Sequence, residues 1–303
     1  LVVYKKSQLR LALEKRNSRI QRLLKRGDPS TEAMRAAHEA HEATLVEVER
    51  ALRAAGVGFS KVYRARLRPA MTEHSLLVVS VGGDGTLLDT SHKVAATPAL
   101  GVNSDPAHSV GFLCAAHRGT FGALLAAILS GRLKPTVVRR LGGSIDGTAL
   151  PFPVLNDVLV AHKNPAATSR VLLEHRGTVE DQKSSGVWIS TGAGSTAAMS
   201  AAGGDIVGLA DPRAQLRVRE PFTADGPRLK LASLWLEDND EVRVTSKMRE
   251  GRVYLDGPHE LHELPMGARL LLHLKAPPLH LYATEEMALR RETARKNSLP
   301  SHL

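Results

Sequence analysis

Gly82-Gly83-Asp84-Gly85-Thr86 wraps three of its glycines around one carboxylate. Glycines reach positive φ and let a ligand's phosphates approach backbone N–H groups with no Cβ in the way. Asp84, in the middle of the turn, can hold a magnesium ion or take a proton from a hydroxyl. The preceding run Leu76–Val81 is short, apolar and rich in β-branched residues, the pattern of a buried strand, and Leu87-Leu88-Asp89 beyond it suits a helix. Two readings fit this local pattern equally. One is a nucleotide or phosphate site; the other is a tight strand-to-helix turn in which Asp84 caps the helix.

The elements around the turn alternate. Residues 2–5 read as an opening strand. Ala-, Leu-, Glu- and Arg-rich stretches from Gln8 to Lys25 and from Thr31 to Ala55 read as helices, split by Gly27-Asp28-Pro29-Ser30. Val57–Tyr63, 76–81 and Pro98–Asn103 read as strands, Leu87–Ala96 and Thr120–Ser130 as helices. Such alternation predicts a parallel sheet with helices on its faces, and ligands then bind beyond the carboxyl ends of the strands, where Asp84 and Asn103 fall. From about Lys134 the helical periodicity gives way to short strand-like segments: Thr136–Leu141, Val154–Ala161, Ser169–His175, Gly186–Ser190, Leu229–Leu236, Glu241–Ser246, Arg252–Leu255, Arg269–Leu274 and Leu279–Tyr282. Asp146-Gly147, Asn164-Pro165, Asp225-Gly226-Pro227 and Asp256-Gly257-Pro258 separate them. The expected organisation is an α/β, Rossmann-like domain over 1–133, a β-rich, sandwich-like domain over 134–284, and a final helix and tail over 285–303.

Bulk properties narrow the classes. A chain of 303 residues, 43% hydrophobic and 24% charged, is long enough for one large core or two ordinary ones. No apolar stretch approaches the roughly 20 residues that span a bilayer, so no membrane partner is expected. The net charge of +10 favours anionic partners, but two Trp and four Tyr leave little for base stacking and no zinc-finger spacing occurs, so nucleic acid is not expected either. The single Cys114 rules out an intrachain disulfide framework and fits a reducing compartment. Leu1–Lys6 has the wrong charge order for a signal peptide. The histidines show no metal-ligand spacing and read as surface or packing residues, and Arg139 and Arg140 read as a solvated strand edge ahead of a phosphate contact.

Taken together, the polar motifs resemble those of the NAD kinases. Gly82–Thr86 resembles that family's glycine-aspartate signature, which diacylglycerol and sphingosine kinases share. Gly101-Val102-Asn103-Ser104-Asp105-Pro106 with Ser109–Cys114, then Leu155-Asn156-Asp157, then Ser190–Ala197 with Ala201–Gly204, carry the likeness across most of residues 76–204. Two positions depart from the bacterial pattern: Ser185 stands where Asp is usual, and Ala198 where Tyr is usual. Asn103–Pro106, Lys183–Gly186, Thr191–Ser195 and the long helical segment after the first strand resemble the mitochondrial-type branch.

The resemblance implies an α/β domain joined to a β-rich one, and transfer of the terminal phosphoryl of ATP, or of another donor, to the adenosine 2′-hydroxyl of NAD, with Mg2+ accompanying ATP. Asp84 is then the catalytic base, taking the hydroxyl proton late in the step, and Gly82, Gly83, Gly85 and Thr86 cradle the donor phosphates. Asn103, Asn156, Asp157, Ser185, Thr191, Gly194, Thr196 and Ala197 are expected to contribute to NAD binding. A carboxylate accepts twice and an amide both donates and accepts, which suits Asn156 and Asp157 to ribose hydroxyls; an Asx turn is the competing reading of that pair. A lipid kinase and a non-catalytic nucleotide-binding regulator are the rival functions. A homodimer is expected, in the cytoplasm for a bacterial source, with the mitochondrial matrix open for a eukaryotic one.

Overall fold

Two central strands buried along their whole length, rather than on alternate residues, lie at the heart of the sheet of the amino-terminal unit. The computed structural model describes residues 1–222 and 229–298, in two units: Leu1–Thr136 with His280–Met287, and Val137–Leu279 with the chain from Ala288 onward. The expected turn Asp225-Gly226-Pro227 and residues 299–303 of the expected tail lie outside the described residues. In the first unit β1 (Val2–Tyr4), β2 (Lys61–Tyr63), β3 (Val78–Gly82) and β4 (Ala99–Asn103) run parallel in the order β2-β1-β3-β4, and β5 (Ala116–His117) lies beside β4. Every residue of β3 and β4 is buried, as expected of parallel strands with helices on both faces. The chain leaves β1 for β2 on one side and returns as β3 on the other, so the strand order reverses between β1 and β3. Ligand crevices open beyond the carboxyl ends at such a reversal. Tyr4 pairs with Val81, and Gly82 with Asn103, so Lys5, Gly83 and Ser104 leave the sheet at that end.

The helices of this unit are α1 (Gln8–Glu14), α2 (Ser18–Lys25), α3 (Glu32–Ala54), α4 (Pro69–Glu73), α5 (Asp84–Ser91) and α6 (Phe121–Leu129). The helix expected from Gln8 to Lys25 is two. Arg16 takes φ 51°, and Asn17 then caps α2 by accepting the Ile20 N–H at 3.1 Å, so a side chain that can bond its own backbone interrupts the periodic run. On α3, Leu45, Val48 and Leu52 are buried together with His41. His41 Nε2 donates to the Lys5 carbonyl (2.7 Å) and Nδ1 accepts from Ser104 Oγ (3.0 Å). Burial lowers the pKa of this ring, consistent with the neutral form that such a pair of bonds needs. The long helix is thereby tied to the carboxyl ends of β1 and β4. Among the described residues no helix is long and apolar enough to cross a membrane.

The second unit is built on alternation. After β6 (Thr136–Val138), an edge strand of the first sheet, its strands are β7 (Gly142–Ile145), β8 (Thr148–Ala149), β9 (Asp157–His162), β10 (Ser169–His175), β11 (Thr178–Ser184), β12 (Gly186–Thr191), β13 (Ala214–Arg219), β14 (Ser233–Leu236), β15 (Glu241–Ser246), β16 (Gly251–Leu255), β17 (Glu260–Glu263) and β18 (Arg269–His273). One sheet has the order β11-β10-β15-β18-β7-β8, the other β14-β13-β12-β9-β16-β17. Val158, Val160, Leu173, Ile189, Leu216, Val244, Val253 and Leu270 of these two sheets share one fully buried core, while the residues between them point outward. α7 (Ala198–Ala201) and, late in the chain, α8 (Glu285–Ser298) complete the helices.

Several strands carry no clear sequence signal. β11 contains Glu180-Asp181-Gln182-Lys183 because it is an edge strand, paired among the described residues with β10, so that Asp181 and Lys183 stay exposed although Gln182 between them is buried. β13 alternates Arg with apolar residues, and β17 is a polar edge. The expected strand Leu279–Tyr282 forms as β19 (Leu279–Leu281), but Leu281 pairs in parallel with Ala99 and so rejoins the first sheet. Sequence order does not announce such a return.

Candidate active site

The glycine-aspartate turn forms where the apolar run ends. Gly83 is extended (φ −129°, ψ −167°) and stands at the helix N-cap, so Asp84 is the first residue of α5. A Cβ on Gly82 would collide with the Thr86 hydroxyl, so this glycine is what lets the first helical turn fold onto the strand end. The Thr86 N–H is turned inward to the Gly83 carbonyl (2.9 Å) and its side chain is buried. Asp84 and Gly85 supply the N–H groups that an α-helix leaves without an intrahelical partner, and Gly85 is exposed.

Asp84 does more than start a helix. Its Oδ2 accepts the Phe112 N–H at 2.9 Å and its Oδ1 the Leu113 N–H at 2.8 Å, with Cys114 Sγ 3.7 Å from Oδ1. The segment between is folded by Asn103, whose Nδ2 donates to the Ser109 carbonyl (2.7 Å) and whose Oδ1 accepts the Asp105 N–H (3.2 Å). Asp84, Asn103 and Ser109–Cys114 are thus one assembly, and both polar ends of the Asn103 side chain are engaged inside its own loop.

A second assembly forms in the other unit. Asp157 opens β9 between Ser190 of β12 and Asp256 at the end of β16. Asp256, at φ 50°, accepts the N–H groups of Leu155 (2.9 Å), Asn156 (2.6 Å) and Asp157 (3.2 Å). Thr191 Oγ1 donates to the Leu155 carbonyl (2.5 Å) and accepts the Ala193 N–H (3.1 Å), while Ser190 Oγ donates to the Asn156 carbonyl (3.1 Å). A Cβ on Gly194 would overlap the Asn156 carbonyl, so the loop can lie against that backbone only with glycine there. Residues Ala193–Thr196 form a 3-10 turn, and Ala197 is exposed at its end.

Among the described residues, two polar groups here have no hydrogen-bond partner. Asn156 Oδ1 is buried without a hydrogen bond, and no bond reaches the Asp157 carboxyl, although Asp157 is only 5% exposed. Burial, then the nearby Asp256 charge, pushes the Asp157 pKa up to about 7. The opposite charge in this region comes from Arg140, which corrects the sequence expectation. Arg140 is 1% exposed, not a solvated edge, and donates to the carbonyls of Pro277 (2.7 Å) and Pro278 (3.2 Å). Burial lowers its pKa to about 10, partly offset by attraction to Asp256, so it stays charged at neutral pH. Arg139 alone matches that expectation, pairing with Asp238 at 2.8 Å near the surface.

Arg291 of α8 is a residue the sequence did not single out. It is buried, and its guanidinium donates to the carbonyls of Gly192 (2.9 Å), Ala193 (2.9 Å) and Val207 (3.3 Å). It closes the glycine-rich loop from behind, and in an Arg- and Glu-rich helix nothing marks it as different from its solvated neighbours. Ser185 sits elsewhere in this unit. Its hydroxyl donates to the Glu220 carboxylate, in a groove also lined by Thr168, Arg170, Lys183 and Phe222.

The raised Asp157 pKa makes a stability prediction for the ligand-free protein. The unfolded chain ionises this group near 3.8 and the folded chain near 7, so between those values the unfolded state releases a proton that the folded state keeps. Its contribution is full below the lower value and is lost as pH rises to the upper one. Asp157→Asn cannot ionise, so its melting temperature should gain on that of the unsubstituted protein by about 4 °C between pH 5 and pH 8, the effect of roughly 2.5 kcal/mol in a chain of this size. Parallel melting curves across that range would contradict the assignment.

No family model matches the chain. It is 35% identical over 233 residues to a protein of Oryza sativa subsp. japonica named a probable NADH kinase, covering 70% of this chain and 72% of that one. It is 34% identical over 237 residues to an Arabidopsis thaliana NADH kinase, covering 68% and 72%, and 30% identical over 196 residues to an NAD kinase of Methanospirillum hungatei, covering 61% and 66%. Among solved structures, an NAD kinase from Archaeoglobus fulgidus in complex with ATP superimposes with a TM-score of 0.68 at 20% identity over 98% of both chains. A yeast NADH kinase complexed with NADH gives 0.65 at 20% identity, over 76% of this chain and 67% of that one. These two share the fold, an α/β unit followed by β-rich sheets. The plant relatives establish that this chain belongs to the NAD(H) kinase family.

Proposed function

We propose that this protein is an NAD kinase, transferring the terminal phosphoryl of ATP to the adenosine 2′-hydroxyl of NAD to give NADP. The observation that supports it most is the pair Asn156 Oδ1 and Asp157, a buried acceptor and a buried carboxyl side by side with no protein partner. Leaving such groups unpaired costs free energy. Ribose hydroxyls, which donate and accept, satisfy both. Thr191, Gly194, Thr196 and Ala197 are the backbone against which the dinucleotide lies, and Ser185, bonded to Glu220 in its own groove, contributes from there. Asn103 acts through the loop that it folds.

Asp84 acts on the acceptor hydroxyl, with Gly82, Gly83, Gly85 and Thr86 forming the donor-phosphate turn. Its two backbone bonds use one acceptor position on each oxygen, fixing the carboxylate plane and leaving capacity for a hydroxyl proton late in the transfer. Among the described residues no group of three or more His, Cys, Asp or Glu could hold a metal. A single carboxylate fits Mg2+ that arrives on the triphosphate with its own waters and, once bound, neutralises charge on the moving phosphoryl. A diacylglycerol or sphingosine kinase would use the same turn but has no need of the Asn156–Asp157 pair, and a non-catalytic regulator has no need of Asp84.

We also infer that NADH is accepted beside NAD, because the plant relatives are named NADH kinases and one fold neighbour was solved with NADH. The mitochondrial-type branch is supported by Asn103–Pro106, Lys183–Gly186 and the helices over 8–54. A homodimer is the assembly we infer, in the cytoplasm of a bacterium or the mitochondrial matrix of a eukaryote.

Asp84→Asn keeps the size of the side chain and removes the base. It should leave NAD affinity within a few-fold and lower kcat by about 10²-fold or more, measured by coupled NADP assay and calorimetry; near-normal turnover would reject the catalytic role. With NADH in place of NAD, kcat/KM should fall within about tenfold of the NAD value, and no turnover of NADH would remove the second acceptor.

A further inference from the structure

We propose that Asp256 is the positioning residue of the acceptor site, holding the 155–157 backbone so that the Asn156 and Asp157 side chains present their free polar atoms to the ribose. The inference rests on the reading of this site as the NAD-binding one. Asp256 lies about a hundred residues beyond that segment, at the end of β16, where Leu255 pairs with Val158 and the Asp256 N–H donates to the Asp157 carbonyl at 2.9 Å. Its carboxylate then turns back and accepts three successive N–H groups, from Leu155, Asn156 and Asp157. Ser190 and Thr191 hold the carbonyls of Asn156 and Leu155, and the Asp256 carboxylate holds the three N–H groups, of which only that of Asp157 belongs to β9. The residue takes φ 50°, a conformation that aspartate tolerates better than most side chains. The buried Arg140 guanidinium is attracted to the same carboxylate.

The geometry assigns Asp256 no contact with the reacting atoms. Its loss should therefore appear in acceptor binding rather than in the transfer step. Two variants test this. Asp256→Asn preserves shape but turns an NH2 group toward the N–H donors, and Asp256→Gly removes the carboxylate while accepting the positive φ without strain. In both, the KM for NAD should rise at least tenfold while kcat stays within about threefold and the KM for ATP is unchanged. Hydrogen exchange at the amides of Leu155, Asn156 and Asp157 should accelerate by at least tenfold, with β12 still protected. An unchanged NAD KM, or equal losses in kcat and in both KM values, would overturn the proposal, as would unchanged exchange at the three amides. If the unsubstituted protein forms no NADP, the functional reading fails, and the exchange measurement still decides whether Asp256 holds the segment.

Discussion

A carboxylate that gathers backbone N–H groups from a distant segment is the interaction on which the candidate site depends, and the protein uses it twice. Asp84, at the end of β3, collects Phe112 and Leu113. Asp256, at the end of β16, collects Leu155, Asn156 and Asp157. Hydrogen bonds to a charged acceptor contribute about 1.5–3 kcal/mol each, enough to fix loops that the strand ladders do not reach. In each case the carboxylate stands on a rigid strand end, and the loop adopts the shape that the carboxylate dictates. Positional precision is thus borrowed from the sheets, which suits phosphoryl transfer, a reaction that asks for placement and charge neutralisation more than for covalent chemistry.

The same arrangement explains where the protein leaves polar groups unsatisfied. Asp256 accepts three backbone N–H groups and has Arg140 as a nearby countercharge, and beside it burial raises the pKa of Asp157. Asn156 is held by its N–H and carbonyl while its Oδ1 stays bare. Arg291 and Gly194 then press the glycine-rich loop against this backbone from the other side. Isolated buried groups of this kind would lower stability with no return; gathered at the end of one strand, they are what a hydroxyl-rich ligand can satisfy.

What could be read from the sequence follows the range of the forces involved. The strand, glycine turn and helix at 76–91 are local, and so is their pattern. The buried runs 78–82 and 99–103 declare a covered parallel sheet, and alternation declares the two antiparallel sheets. Arg140 and Arg291 were illegible because charge marks a residue as surface unless its acceptors are known, and those acceptors are carbonyls of Pro277, Pro278, Gly192 and Ala193, far away in sequence. Asp256 showed only as an Asp-Gly turn, since nothing local says which N–H groups its side chain will meet. β11 and β17 stayed hidden because edge strands need not bury a face.

The most direct test of the central claim is the position of the phosphate in the product. Purified protein incubated with Mg2+, ATP labelled in its terminal phosphate, and NAD should yield a labelled dinucleotide whose phosphorus NMR and fragmentation place the new group on the adenosine 2′-oxygen. Label appearing instead in diacylglycerol or sphingosine offered in the same mixture, with none in the dinucleotide, would contradict the account.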